Sequence, residues 1–148
     1  MPYTDVNVGS SKISVAETIG HSCENATRSL ILDEGYENQI LDLIKNAISK
    51  SIDKDVEANG IGISSFVDRR LRTLCYVENT PSWKKVYLND FLENHLNISV
   101  FVKNDTNCFS LGELYFGARE NLDSFLALTI GTEFAGGIII NKKLYSGS

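Results

Sequence analysis

The sequence predicts an α/β domain built on a mixed, mostly parallel sheet with one antiparallel strand. Three short apolar segments come first, and from residue 36 onward helical and strand patterns alternate along the chain. Strands joined by a short turn run antiparallel, whereas strands joined through a helix run parallel. With 148 residues, 43% of them apolar and 22% charged, the chain can bury one hydrophobic core, or one core and a fragment of another.

The leading segments are predicted as strands. Residues 5–8 and 12–17 flank a Gly-Ser-Ser turn at residues 9–11, a combination that indicates a β-hairpin. Residues 29–32 are predicted as a short third strand. The hairpin supplies the antiparallel part of the sheet.

The most regular helical pattern covers residues 36–54. Its apolar residues recur every three or four positions and so fall on one face of a helix. This stripe consists of Ile40, Leu41, Ile44, Ala47, Ile48 and Ile52. We therefore expect the stripe to face the core.

Strands and helices alternate beyond this helix. An apolar strand is predicted at residues 60–64 and a hairpin arm at 72–77, followed by an amphipathic helix at 86–96. A strand at 98–102 and a helix at 107–118 follow. This alternation is typical of an α/β domain.

The character of the sequence changes after residue 119. A strand at 125–130, a turn and a second strand follow, with no further helical pattern. Two or three strands without a helix leave one face exposed. We therefore assign residues 1–119 to a first lobe and residues 120–148 to the first strands of an incomplete second lobe. Its unpaired strand edge favours a homo-oligomer.

Two features indicate chemistry. Asn104-Asp105 follows the strand at 98–102, and a lone carboxylate at the carboxyl end of a strand is the place for a catalytic base in an open α/β sheet. Gly131-Thr132 forms a turn between strands, where backbone N–H groups can bind phosphate. Together they indicate phosphoryl transfer to a hydroxyl. The alternatives are that Asp105 caps the next helix and that Asn104 is a turn residue.

Charge and hydropathy exclude several classes of partner. The net charge of −5 argues against a surface that binds nucleic acid. No apolar run reaches the roughly 18 residues of a transmembrane helix, and no signal peptide is visible at the N-terminus. We therefore expect a cytoplasmic protein with no membrane partner.

The residues that bind metals most often are sparse in this chain. Cys23, Cys75 and Cys108 are odd in number and widely spaced, which favours reduced, buried thiols over a disulfide framework or a zinc site. His21 and His95 have no cysteine or acidic cluster at metal-ligand spacing. No metal ligand is therefore predicted, and we expect His95 to pack on its helix.

One continuous pattern runs from residue 104 to residue 140. It consists of Asn104-Asp105-Thr106-Asn107, Gly112-Glu113, Phe116-Gly117-Ala118, Gly131-Thr132, Gly136-Gly137 and an apolar strand. This order resembles the ROK family (repressor, open reading frame, kinase), which carries N-D-x-N, a helix with G-E or A-E, F-G-A and then G-T-G-x-G-G-G. Weaker matches lie at residues 7–12, 60–68 and 78–83. The resemblance covers essentially the whole chain, but only the first half of a family member.

The resemblance implies an actin-like ATPase fold with an RNase H-like first lobe that carries the sugar site. It implies a carbohydrate kinase that uses ATP and Mg²⁺ to phosphorylate a hexose-like sugar. In such an enzyme Asp105 would be the catalytic base. Asn104, Asn79 and Ser65 would bind the sugar.

The resemblance also implies two phosphate loops. Their residues would be Gly9, Ser10, Ser11 and Lys12 in the first loop, and Gly131 and Thr132 in the second. The alternative for the first loop is an ordinary β-hairpin turn.

Departures from the family motifs in three loops bear on activity. In the first phosphate loop Asn7 replaces the usual aspartate that helps place magnesium, and Ser10-Ser11 replaces Gly-Thr. Ser64-Ser65 replaces Pro-Gly in the sugar-side loop, and Glu133 replaces a glycine of the second phosphate loop. A carboxylate beside phosphates is electrostatically unfavourable. The departures suit an alternative function, the non-catalytic sugar-sensing domain of a ROK-type transcriptional regulator. The family's zinc cluster lies beyond residue 148, and we expect the 148-residue polypeptide alone not to turn over ATP.

Overall fold

A computed structural model describes residues 2–9, 11–20, 22–31, 37–51, 55–68, 70, 73–77, 85–119, 121–131 and 134–146. The chain divides into two compact units, Met1–Lys103 and Asn104–Ser148. By compactness, the helix that follows Asn104 belongs to the second unit. The predicted lobe boundary after residue 119, which concerns the family architecture, stays a prediction.

Strands and helices follow one another along the described chain. In order they are β1 (Pro2–Val8), β2 (Lys12–Ile19), β3 (Ser22–Leu30), α1 (Glu37–Ser51), β4 (Ala58–Ile63), β5 (Ser65–Asp68), β6 (Thr73–Val77), α2 (Leu88–Leu96), β7 (Ser99–Asn104), α3 (Asp105–Tyr115), β8 (Phe125–Ile130), β9 (Phe134–Ile140) and β10 (Lys143–Tyr145). Among the described residues, no helix is both long and apolar enough to span a membrane.

The first unit is built on a five-stranded sheet. The strand order is β3-β2-β1-β4-β7. β2 runs antiparallel to both of its neighbours, whereas β1 and β4 run parallel. The predicted mixed, mostly parallel sheet with one antiparallel strand is therefore confirmed. A separate antiparallel pair, β5 and β6, confirms the predicted hairpin arm.

The core of the first unit lies between this sheet and α1. The predicted apolar stripe of α1 is buried at Ile40, Leu41, Ile44, Ala47 and Ile48, while Ile52 lies outside the described residues. The helix packs against β1, β2 and β3. The sheet contributes the alternate, inward-facing residues Val6, Val8, Ile13, Val15, Ile61 and Ile63. The alternating apolar residues of the strands and the apolar stripe of α1 are thus buried in the same core.

Polar side chains hold α2 against β7. Leu88 and Leu92 are buried. Asn89 Nδ2 donates to Val100 O at 2.8 Å, and Glu93 Oε1 accepts from Val100 N at 2.9 Å. Although His95 is exposed, its ring centroid lies 4.4 Å from that of Phe91 on the same helix.

Two predictions, one about β3 and one about the cysteines, are wrong in detail. β3 covers nine residues and begins at Ser22, where residues 29–32 were expected, because almost all of its side chains are exposed and show no alternation. The cysteines are free but not buried: Cys23 and Cys75 are exposed and Cys108 is half-buried. Cys23 lies on the exposed β3, and Cys75 lies on the small β5–β6 hairpin.

The second unit consists of α3 and an antiparallel sheet in the order β10-β9-β8. β8 begins and ends at the predicted residues. One face of the sheet packs on α3. The other face exposes large apolar side chains, namely Leu126, Leu128, Ile130, Phe134, Ile138 and Ile140, which we call the outer apolar face.

Candidate functional site

The helix that carries the candidate base begins earlier than predicted. α3 starts at Asp105, and Asn104 is its N-cap, with φ −58° and ψ 137°. Asn104 Oδ1 accepts a hydrogen bond from Asn107 N at 3.2 Å. The capping role that was the alternative for Asp105 therefore belongs to Asn104. Asp105 is the first helical residue, where the helix dipole favours a negative charge.

The two carboxylate oxygens of Asp105 differ in their surroundings. Oδ1 accepts a hydrogen bond from Thr106 N at 2.8 Å and lies 3.4 Å from Thr106 Oγ1. No hydrogen bond to Oδ2 is found within the described ranges. The side chain is half-buried, so solvent or a ligand can reach it. One oxygen is thus held by the protein, and the other can accept a proton from a hydroxyl.

A pair of threonines links the start of α3 to the neighbouring hairpin. Thr106 is only 2% exposed, and its Oγ1 lies 3.2 Å from Thr129 Oγ1 on β8. Thr129 Oγ1 donates in turn to Ala135 O at 3.5 Å, on β9. Neither threonine was predicted as a site residue from the sequence. The available signal was a threonine inside N-D-x-N and a second threonine two positions before Gly131.

Gly137, a residue of the glycine-rich motif, allows α3 to pack closely on β9. A Cβ at this position would lie 2.0 Å from Ser110 Oγ and 2.9 Å from Thr106 O. Ser110 is fully buried and donates to Thr106 O at 2.8 Å. Ala127, the register partner of Gly137, is also small. This glycine therefore has a packing role in the second unit.

The turn of the second predicted phosphate loop is described in part. Gly131 is an exposed bend, and a Cβ there would meet no atom of the described residues within 4 Å. Thr132 and Glu133 lie outside the described residues. The space around Gly131 is compatible with the approach of a phosphate.

The first predicted phosphate loop is the β1–β2 hairpin. Gly9 N donates to Lys12 O at 3.0 Å, and Ser11 O accepts from Ile31 N at 2.9 Å. The N–H group of Gly9 is thus used within the hairpin. Ser11 and Lys12 are exposed, so their side chains can approach a phosphate. Ser10 lies outside the described residues.

The predicted sugar ligands of the first unit are described only at Ser65. This side chain is 8% exposed, and its Oγ donates to Phe66 O at 3.3 Å. Asn79 lies outside the described residues.

The donor set near the β1–β2 hairpin suits magnesium poorly. Mg²⁺ is usually held by one or two carboxylates together with substrate phosphates. Asn7 is exposed and offers a neutral amide oxygen. Asp5, two residues earlier on the same strand, accepts a hydrogen bond from Thr18. In the part of the chain that the structure describes, no group of three or more His, Cys, Asp or Glu residues could hold a metal ion.

Comparison with known proteins gives relatives of about twice the length. Glucokinase from Thermotoga maritima is 31% identical over 144 residues, which cover 96% of this chain and 45% of the relative. The crystal structure of a ROK family glucokinase from Streptomyces griseus in complex with glucose and AMPPNP matches with a TM-score of 0.91 at 30% identity, covering 100% of this chain and 47% of that chain. The chain thus spans about half the length of these proteins.

A regulator is also among the relatives. The xylose repressor of Caldicellulosiruptor bescii is 28% identical over 111 residues, which cover 74% of this chain and 28% of the repressor. The actin-like ATPase fold expected from the resemblance is confirmed by the match to the glucokinase structure. Since the sequence profile of the ROK family matches residues 3–148, this chain belongs to the ROK family.

Proposed function

We propose that this chain is the N-terminal, sugar-side half of an ATP-dependent kinase that phosphorylates a hexose-like sugar. The single observation that carries the proposal is the arrangement at the start of α3. There the Asp105 carboxylate has one oxygen held by Thr106 and the other oxygen open to a hydroxyl. The glucokinases similar to this chain support the choice of a hexose. A cytoplasmic location, where ATP is available, belongs to the same proposal.

Asp105 is the catalytic base in this proposal. Its Oδ2 accepts the proton of a sugar hydroxyl while the hydroxyl oxygen attacks the γ-phosphorus of ATP. The bond from that phosphorus to the bridging oxygen breaks, and the bonding electrons leave with ADP. Phosphoryl transfer depends more on an oriented nucleophile than on a strong base. The hydrogen bond from Thr106 N and the cap at Asn104 supply that orientation.

The remaining residues of the proposal are carried over from the family motifs. Asn104, Asn79 and Ser65 bind sugar hydroxyls. The phosphates of ATP meet the side chains of Ser11 and Lys12, and the loops that contain Gly9, Ser10, Gly131 and Thr132. Bound Mg²⁺ would neutralise phosphate charge. Asn7 and its neighbours fit that ion poorly, because a neutral amide stands where the family has a carboxylate.

Titration of the chain with glucose tests the role of Asp105. We expect glucose to bind, and Asp105→Ala to weaken the affinity about tenfold or more, because a hydrogen bond to a charged group is worth roughly 1.5–3 kcal/mol. The matched control is Asp90→Ala, which removes an exposed aspartate from the first turn of α2. We expect the control to bind like the wild type. Equal affinities of the Asp105→Ala and wild-type chains would contradict the proposal.

The second candidate function is sugar sensing without catalysis. It is favoured by the β1–β2 hairpin, where Gly9 N is used internally and Asn7 replaces a carboxylate. The similarity to a xylose repressor supports it as well. Adding the ATP analogue AMPPNP to the glucose titration separates the two functions. Binding of the analogue together with glucose favours the kinase, whereas glucose binding by a chain that does not bind the analogue favours the sensor.

A further inference from the structure

We propose that Thr106 is a positioning residue for Asp105, and that Thr129 decides where the proton of the Thr106 hydroxyl points. The inference rests on the proposed function, because it concerns the base of that reaction. Its basis is the unbroken series of contacts from Asp105 through Thr106 and Thr129 to Ala135. All four residues lie in the second unit.

Proton counting gives this series three arrangements, because each hydroxyl donates one hydrogen bond. In the first arrangement Thr129 donates to Thr106 across 3.2 Å, and Thr106 donates to Asp105 Oδ1 across 3.4 Å. In the second, Thr106 donates to Thr129, and Thr129 donates to Ala135 O across 3.5 Å. In the third, Thr106 donates to Asp105 Oδ1 while Thr129 donates to Ala135 O. Only the second arrangement leaves the carboxylate without a second donor besides Thr106 N.

Because Thr106 is buried, the direction in which its hydroxyl donates affects the position of the Asp105 carboxylate. Thr106 is 2% exposed, so water cannot replace a hydrogen bond that its side chain loses. The backbone N–H fixes the position of Asp105 Oδ1 at 2.8 Å, and the hydroxyl restrains the rotation of the carboxylate about that point. Oδ2 is thereby kept in one place to meet the sugar hydroxyl. A charged carboxylate attracts the donor more strongly than a neutral one does.

Loss of the carboxylate charge changes this balance. When Asp105 takes the proton of the sugar, Oδ1 becomes a weaker acceptor and the second arrangement gains weight. The Thr106 hydroxyl then donates to Thr129, while Thr129 donates to Ala135 O. The protonation of the base is thereby linked to the direction of the Thr106 hydroxyl.

Four substitutions in the full 148-residue chain separate positioning from packing. Valine keeps the shape of threonine without its hydroxyl, and serine keeps the hydroxyl without the methyl group. If Thr106 acts through its hydroxyl, Thr106→Val weakens glucose binding about three- to tenfold, the range expected for one hydrogen bond. In that case Thr106→Ser stays within about twofold of the wild type. A packing role gives the reverse order, because serine leaves a cavity and valine does not.

The matched pair at Thr129 tests the proton direction. With Thr129→Val the Thr106 hydroxyl keeps Asp105 as its side-chain acceptor, so glucose affinity stays at or above the wild-type value. Thr129→Ser, which retains all three arrangements, behaves like the wild type. Equal losses for Thr106→Val and Thr129→Val would overturn the proposed direction.

A second readout does not depend on sugar binding. The amide of residue 106 donates to Asp105, and its hydrogen exchange can be followed by NMR in the absence of ligand. Relative to the intrinsic rate of each residue type, we expect exchange about threefold faster in Thr106→Val and unchanged exchange in Thr106→Ser and Thr129→Val. If the wild-type chain binds no glucose, the proposed function fails while this measurement still decides the inference. Identical exchange rates in all four variants and the wild type would overturn it.

Discussion

At the scale of single residues, Gly137 shows why one position of the motif requires glycine. The ROK resemblance associates this glycine with a phosphate loop, yet it lies inside β9 and faces α3. Ser110 occupies the space that a side chain at Gly137 would need. The requirement for glycine here follows from helix–strand packing in the second unit.

The substitution Gly137→Ala is therefore expected to destabilise the chain by about 2 kcal/mol or more, since overpacking of a tight core typically costs roughly 1–3 kcal/mol. The new Cβ would lie 2.0 Å from Ser110 Oγ, and Ser110 is held by its hydrogen bond to Thr106 O. Gly136→Ala is the matched control, because its Cβ meets the flexible end of Leu128 at 3.2 Å. Urea unfolding compares the two free energies, and equal values would contradict the packing role.

At the scale of elements, hydrophobic periodicity accounts for most of what the sequence predicted correctly. α1 has a regular apolar stripe, and β8 is a short run that is apolar except for Thr129, so both were located from local pattern. β3 was largely missed because an edge strand with exposed side chains needs only backbone hydrogen bonds to β2. Periodicity carries no signal for such a strand.

The burial of the apolar stripe of α1 predicts how substitutions in this helix change the free energy of unfolding. Ile44 is completely buried in the core of the first unit. We expect Ile44→Ala to lower the free energy of unfolding by about 2–5 kcal/mol, the usual cost of a large-to-small change in a core. Lys50→Ala, on the exposed side of the last turn, should change it by less than about 0.5 kcal/mol. Thermal unfolding followed by circular dichroism measures both, and similar values for the two variants would mean that α1 does not pack as described.

At the scale of the whole molecule, the candidate site was predicted only where it depends on local sequence. Asp105 was found because it follows a strand, and Asn104 because it precedes Asp105. The contact between Thr106 and Thr129 joins residues 23 positions apart and forms only when β8 packs on α3. The use of Gly9 N within its own hairpin likewise depends on backbone geometry. Such contacts carry no local pattern, so the sequence did not reveal them.

The exposure of the outer apolar face predicts that the chain self-associates. Monomeric proteins seldom expose a large contiguous apolar surface. Ile130 and Phe134 are register partners on this face and are 82% and 71% exposed. We expect the wild-type chain to self-associate with rising concentration in sedimentation velocity experiments, because association removes this surface from water.

Replacing both residues with lysine places two like charges on the face and should shift the chain toward the monomer. The matched control is Phe66→Lys, which changes an aromatic residue of similar exposure, 76%, in the first unit. This control should associate like the wild type if the outer apolar face is the contact surface. A wild-type chain that sediments as a monomer throughout the concentration series would contradict self-association. Association that persists unchanged in the Ile130→Lys, Phe134→Lys double variant would locate the contact elsewhere.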